Sequence, residues 1–513
     1  MTSKNTSLLT LALLPCLLWA QTDEASYRLA DATQTFRLTQ NAATLDVDSV
    51  VNRGYAQIRF DRSVGDYTRV QEGDEHNALR FETERYQRIG RYLVGYGRFD
   101  FDYGRVQNRS WCDVRRAYDT NPYFAGSSVA GKYDNMDFSL TAALGTVSFS
   151  GFRFGARVDY GVGDLSRLRD PRSRSEMLDY CLTPSVSYTV GRHTIGLNGH
   201  YRRRKEKMPT LTTVQTDPNL MYYQFTGMEN AIGTVGGYSS FSREWVRHQL
   251  GAELDYGFRL GERFSTTNAL SISRAEEDVL EQYKYEPGCF FDYTYGLQSY
   301  NRVRTERHLH SIDLSVEARQ AYADEYREQL NIEKDPETGY NTYSYERLLT
   351  FSKRYQVQTL DASLRYRLQW VKGTGVHVYA GVVANYSVAS NKHVLPTSSF
   401  HRGRMTITAE GGCALIPQHL WMDFSAGYSH SMRADLTLSD PTTDYAQSVL
   451  IPDMDYYSAD YWHEQLQLTY QFPITIKKTR SIWYVRGYVH YLSTLKSPSR
   501  DFSSFGFTLG LFN

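Results

Sequence analysis

Beyond residue 21 the sequence has no run of about 18 apolar residues, so no segment there can cross a bilayer as a helix. Neither sign of charge is in surplus: Lys plus Arg and Asp plus Glu each number 57, which removes the electrostatic case for nucleic acid or an acidic partner. Cysteine is scarce, at 5 residues, and none of the spacings typical of a zinc site occurs. GxSxG, HExxH and phosphate-binding glycine loops are also missing, so the commonest hydrolase, metalloprotease and nucleotide chemistries have no motif here. What is abundant is tyrosine, at 41 residues, a side chain suited both to strands and to membrane interfaces.

The first residues carry one positive charge, Lys4, followed by an apolar run from Leu8 to Leu18 and then Trp19, Ala20 and Gln21. This is the pattern of a secretory signal peptide, with cleavage expected after Ala20. Pro15 before Cys16 argues against a lipoprotein signal, where a small flexible residue belongs. The expected division is 1–20 signal peptide, 21–50 periplasmic arm or lumen plug, and 51–513 membrane barrel.

The case for a barrel rests on a period of two. Leu93, Gly95, Gly97, Phe99, Phe101 and Tyr103 alternate with Arg98, Asp100 and Asp102. Phe152, Phe154, Ala156, Val158 and Tyr160 alternate with Arg153, Arg157 and Asp159; Leu360 to Trp370 alternates with Asp361, Arg365 and Arg367. A face with so many charges cannot sit in a dry core, so it must meet water while the other meets lipid. The mean hydropathy of -0.52 is compatible with this, because only alternate residues face lipid.

Connections alternate in length. Short turns are expected near Gly90, Gly191, Gly261, Lys372 to Gly375, Pro417 and Lys477 to Arg480; long polar segments at 104–134, 164–178, 202–246, 276–305, 320–354 and 432–460. Short turns at one end and long loops at the other distinguish a transmembrane barrel from a soluble sandwich. Tyr103, Tyr160, Tyr201, Tyr386, Tyr428 and Tyr491 close the lipid-side series six to ten residues after each begins. Eight strand residues tilted near 40° climb roughly 20 Å, enough to place these rings at an outer aromatic girdle. The count gives an all-β fold with a single antiparallel barrel of about sixteen strands, within 14–18, and leaves Ser311 to Arg319 as a strand with no clear partner.

The chain ends Phe505, Gly506, Phe507, Thr508, Leu509, Gly510, Leu511, Phe512, Asn513, similar to the terminal signal that barrel assembly machinery recognises. Together with the leader, the segment Asn121, Pro122, Tyr123, Phe124, Ala125, Gly126 and the Tyr- and Arg-rich strands, it resembles the uncharacterised outer-membrane β-barrel protein family of Bacteroidota. The resemblance covers nearly the whole chain. It implies location and fold, supplies no catalytic residues, and hints at partnership with a TonB-dependent transporter or surface lipoprotein.

Three groups of residues are candidates for function. Arg98, Asp100, Asp102, Arg153, Arg157, Asp159, Asp361, Arg365 and Arg367 are expected to line the lumen, either as a polar pore or as a salt-bridged closure. Arg202, Arg203, Arg204 and Lys205 follow Tyr201 directly and are placed to grip lipopolysaccharide phosphates. Loop aromatics, among them Tyr222, Tyr223, Phe225, Phe290, Phe291, Tyr293, Tyr456, Tyr457 and Trp462, offer faces for sugars or a partner. His200, His308, His310, His430 and His490 sit in no nucleophile motif, and Asp453, Asp455 and Asp460 lack the glycine and final glutamate of a calcium loop. The loop pair Cys112 and Cys181 is an open disulfide option. No cofactor, metal or catalytic residue is expected. The leading expectation is a porin-like or accessory channel for a polar solute in the outer membrane. A surface scaffold partnering a TonB-dependent uptake system comes second, and a barrel hydrolase third.

Overall fold

The computed structural model describes residues 23–48, 52–115, 121–209, 211–214, 220–235, 241–476, 479–496 and 498–512; the expected signal peptide lies outside these. No helix among them is long and apolar enough to cross a membrane. Strands dominate: β1 (Arg53–Gly65), β2 (Glu75–Ile89), β3 (Leu93–Arg109), β4 (Ala125–Ser127), β5 (Gly131–Thr146), β6 (Phe152–Arg167) and β7 (Arg174–Val190). They continue with β8 (His193–Met208), β9 (Met221–Gly227), β10 (Asn230–Val235), β11 (Arg243–Leu260), β12 (Phe264–Leu280), β13 (Gly288–Arg304) and β14 (His308–Lys334). The last are β15 (Asn341–Lys372), β16 (Gly375–His393), β17 (Ser398–Ile416), β18 (Leu420–Thr437), β19 (Tyr461–Ile476), β20 (Thr479–Thr494) and β21 (Asp501–Phe512). Among the described residues two α-helices accompany them, α1 (Glu24–Thr33) and α2 (Ile451–Ser458).

Eighteen of these strands form one antiparallel sheet, and β4, β9 and β10 form a separate small one. The large sheet closes because β21 pairs with β1, from Tyr55 opposite Phe512 to Gly65 opposite Phe502. Closure satisfies every wall strand on both sides, which is what lets backbone polar groups survive in lipid. The outward positions are apolar and solvent-accessible: Leu250, Leu254 and Leu270 are about half or more exposed, at 66%, 49% and 55%. In water such a surface would be an aggregation hazard; around a barrel it is the lipid-facing band.

The strand number is eighteen, and the expectation of about sixteen is corrected by β13 and β14. Residues 276–305 read as a long loop, yet Gly288–Arg304 is a strand. Its alternation is masked because Phe290 points inward into a buried cluster while Phe291, Tyr293 and Tyr295 take the outward positions. Ser311 to Arg319 has two partners, β13 and β15. The segment 320–354 is likewise a hairpin; β14 and β15 run on past the strands beside them, which end their pairing at Glu325 and Tyr355, so its far part mixes polar and apolar residues without the contrast between lipid and lumen. Short turns occur where expected near Gly90, Gly191, Gly261, Lys372 to Gly375 and Pro417, with Gly191 and Gly261 at φ +58°, a left-handed conformation that favours glycine; the turn expected at Lys477 to Arg480 lies in part outside the described residues.

Candidate functional site: a lumen closed by its own chain

Residues 23–48 lie inside the barrel, near the end where the short turns are. Asp23 caps α1 by accepting from the Ser26 amide at 2.8 Å, and Glu24 and Arg28 then form an i, i+4 pair. Arg28 also reaches the wall, donating to both oxygens of Asp423 at 2.9 and 2.8 Å. Glu24 accepts from Arg486 at 3.2 Å, and its own amide donates to Gln471. Further along, the Gln40 amide donates to Glu253, Asn41 to Asp255, and the Ala43 amide to Ser185. Asp46 accepts from Arg88 and Arg153, and Asp48 from Arg259.

The wall is shaped to receive this segment. A β-carbon on Gly155 would lie 2.3 Å from the Ala43 nitrogen, and one on Gly257 would lie 2.2 Å from the Phe36 ring, so only glycine admits the segment at those points. Apolar contacts add to these: Ala42 and Leu45 pack with Tyr86, Val94 and Ala143, Leu29 packs on Val376, Tyr379 and Trp421, Tyr27 packs on the penultimate Phe512 at 5.2 Å, and the Arg28 guanidinium stacks over Trp421 at 4.4 Å. When the plug leaves, its ion pairs and hydrogen bonds are exchanged for bonds to water, while its small apolar contacts become exposed surface.

The opposite mouth is filled by loops. The small β4–β9–β10 sheet, residues 111–114 and 123–125, and α2 fold inward onto wall residues Trp245, Phe290, Tyr355 and Phe400. Phe124 and Phe225 stack at 4.1 Å, and the Trp245 indole donates to the Tyr123 carbonyl at 2.5 Å. At its edge a buried pair, Arg167 and Asp113, has both side chains fully covered; Asp113 also accepts from Tyr133 at 2.5 Å and Ser173 at 2.8 Å. This cap is therefore a small hydrophobic core with a buried ionic latch.

The loop aromatics proposed for sugars or partners are largely spent in that core: Tyr222, Tyr223, Phe225, Phe290 and Tyr457 are all buried, Tyr456 packs on Tyr67 at 4.6 Å, and Phe291, Tyr293 and Trp462 point outward on the wall. The disulfide option between Cys112 and Cys181 is not taken up: the Cys112 thiol donates to the Val114 carbonyl and the Cys181 thiol lies against the Thr183 hydroxyl. Cys112 is buried in the cap, which pushes its thiol above the usual range, and Cys181 is on β7. Asp453, Asp455 and Asp460 do not converge: they bind the Val70 amide, Arg500 and His430 respectively.

All nine lumen candidates point inward. Arg98 pairs with Asp100 and Glu82, Asp102 with Arg80, Arg153 with Asp46, Arg157 with Asp159, and Arg365 and Arg367 share Glu410. Asp361 faces Glu317 across two strands, and neither has a basic partner among the described residues. The run 202–205 lies within β8, where alternation divides it. Arg202 and Arg204 face the lumen and pair with Asp179 and Glu277; Arg203 and Lys205 face out, Lys205 with Glu244 at 2.8 Å. A four-residue headgroup grip is thus corrected to two outward cations, because a strand cannot point neighbours the same way. The six tyrosines Tyr103, Tyr160, Tyr201, Tyr386, Tyr428 and Tyr491 all point outward, Tyr491 beside Trp462 at 5.5 Å.

Of the histidines, His430 is held by Asp460, His310 by the Tyr366 hydroxyl at 2.9 Å, and His308 lies 5.9 Å from Trp370. His490 is 6.1 Å from His463, and His200 stands on the lumen wall. Sequence reasoning missed the plug's anchors, Glu24, Arg28, Asn41, Asp255 and Asp423. The legible trace was Asp23 before Ser26, an N-cap, with Glu24 and Arg28 four apart. Between plug and cap remain polar cavities, one of about 580 Å³ lined by Gln40, Thr141, His200, Glu253, Ser271 and Glu317 among others.

The fold and its contents define a class: a closed eighteen-stranded membrane barrel whose lumen is filled from both ends by its own chain. The chain belongs to a family described as Family of unknown function (DUF6850), whose profile matches residues 42–513. No curated protein sequence matches it. Among solved structures it is similar to the copper transporter OprC, at 10% identity over 89% of this chain and 80% of that one, with a TM-score of 0.39. It is also similar to the FrpB iron transporter from Neisseria meningitidis, F5-1 variant in apoprotein form (9%, 92% and 83%, 0.39). The ferric yersiniabactin uptake receptor FyuA from Yersinia pestis is a third (9%, 90% and 80%, 0.40).

Proposed function

We propose that this protein is a gated, non-enzymatic barrel of the outer membrane that admits a polar solute when its plug and cap move. The observation that supports this reading is the pairing of a polar, water-exchangeable plug with polar cavities retained above it. A barrel built only as an anchor would have no reason to keep a lumen lined with hydroxyls, amides and charges. An always-open pore, the plain porin reading, has no support in a lumen occupied from both ends.

The test is made in cells that lack the native copy and carry plasmid variants. Full-length protein is expected to leave them resistant to a large polar antibiotic that an intact outer membrane excludes. A variant lacking residues 23–48 with the 209–242 connection shortened is expected to sensitise them. Equal resistance with both proteins folded in the outer membrane would count against a solute path.

One observation favours a second reading, a surface scaffold. The β14–β15 hairpin exposes Leu330, Ile332, Tyr340, Leu348 and Leu349 beyond the rest of the wall, with Tyr340 at 79%. If docking is its role, deleting 326–351 abolishes co-purification of a stoichiometric partner from native membranes while solute entry is unchanged.

A further inference from the structure

Asn198 on β8 and Glu253 on β11 sit directly opposite one another, and Asp255 stands two residues along from Glu253 on the same lumen face. All three are buried, Asn198 at 1%, Glu253 at 5% and Asp255 at 0% exposure. Here the plug is fastened to the wall: Glu253 Oε1 accepts from the Gln40 amide at 3.0 Å and from Asn198 Nδ2 at 2.9 Å, and Asp255 Oδ2 accepts from Asn41 Nδ2 at 2.8 Å.

These bonds leave a remainder. Asp255 Oδ1 and Asn198 Oδ1 are buried and have no hydrogen-bond donor. No arginine or lysine among the described residues forms an ion pair with Glu253 or Asp255, in contrast to Asp423, which has Arg28. Two carboxylates two residues apart on β11 and the amide opposite one of them thus lie on one lumen face out of bulk water, with two oxygens left without a donor. A buried carboxylate without a counter-ion is costly, and its orphan acceptors add to that cost. His200, two residues along β8 on the same face, is a titratable neighbour, and its Nδ1 also lacks a partner.

We infer that Asn198, Glu253 and Asp255 form an oxygen-ligand site for a hard divalent cation, calcium being the best fit, at the seam between plug and wall. Carboxylate and amide oxygens are calcium donors, and calcium tolerates an irregular set of about six to eight oxygens, whereas magnesium demands a near-ideal octahedron. The protein supplies the oxygens of three side chains; water from the adjoining cavity, which Glu253 and Gln40 also line, completes the shell. A divalent ion neutralises two carboxylates together and engages both orphan oxygens. The same carboxylates accept from Gln40 and Asn41, so the ion locks the plug. The site stands whether or not the barrel passes a solute.

The test uses the refolded full-length chain in detergent. After chelation, equilibrium dialysis with radiolabelled calcium is expected to show one saturable site that Asp255→Asn weakens roughly tenfold or more, by loss of ligand charge. Glu276→Gln, at the separate outward group of Glu276, Asp278 and Cys289, is expected to leave that binding unchanged. In the unaltered chain, calcium is expected to protect Arg28 and Arg37 from trypsin and chelation to expose them, a readout that needs no variant to fold. Absence of saturable binding, binding indifferent to Asp255→Asn in a folded barrel, or protection indifferent to chelation would each overturn the assignment.

Discussion

Arg28 and Asp423 meet through two parallel hydrogen bonds, at 2.9 and 2.8 Å, although 395 residues separate them in the chain. The pair ties α1 to β18, and both side chains are mostly covered, at 21% and 14% exposure. Bidentate geometry of this kind is stronger than an ordinary ion pair. Arg28→Ala is therefore expected to weaken plug docking by about 2–3 kcal/mol, since Asp423 keeps its bonds from Tyr379 and Trp421 while losing its cation. Hydrogen exchange over residues 24–33 measures this. In an Asp423→Asn background the same substitution should cost clearly less; equal costs would mean the pair does not hold the plug.

Asp48 gives the plug a pH dependence of definite sign. Burial pushes its carboxyl up to about 6, with Arg259 opposing the rise. Released into water, the same carboxyl titrates near 4, as any aspartate does, to within about half a unit. Between these values the docked plug holds a proton that the free plug has lost. Docking is thus strongest below about pH 4, weakens as pH rises through 6, and is flat above that range. Urea release followed from pH 4 to 7.5 should need less urea at higher pH, and Asp48→Asn should flatten that window.

The cap answers to a different pair. Asp113 and Arg167 are both fully covered, so Asp113→Asn strands a buried guanidinium and is expected to cost the cap about 3–5 kcal/mol. Proteolysis within the 110–130 and 209–242 segments of intact cells should accelerate, while the barrel remains resistant to heat in detergent. Protection unchanged from the native chain would show that the apolar cluster around Phe225 holds the cap unaided.

How much of this was readable in advance follows from where the information lies. β3 announced itself because Phe99 and Phe101 meet lipid while Arg98 and Asp100 meet water, and that contrast repeats every second residue. β13 was invisible, because Phe290 packs into the cap while Phe291 and Tyr293 face outward, which erases the contrast without changing the strand. The run 202–205 read as one patch until a strand divided it. A plug was one of two readings open for 21–50, but its anchors and the cap were illegible for another reason: Arg28 with Asp423, Asn41 with Asp255 and Trp245 with Tyr123 are joined only by closure of the barrel, and no local period records them.

Two closures in series are the centre of this account, and planar-bilayer conductance of four proteins tests them together. The full-length chain, the chain without residues 23–48, the chain with the 209–242 connection shortened, and the chain with both changes are refolded and compared. The account predicts silence or small flickering events from the first three and a large, steady conductance from the fourth alone. A steady large pore in the full-length chain, or silence from a folded barrel lacking both closures, would contradict it.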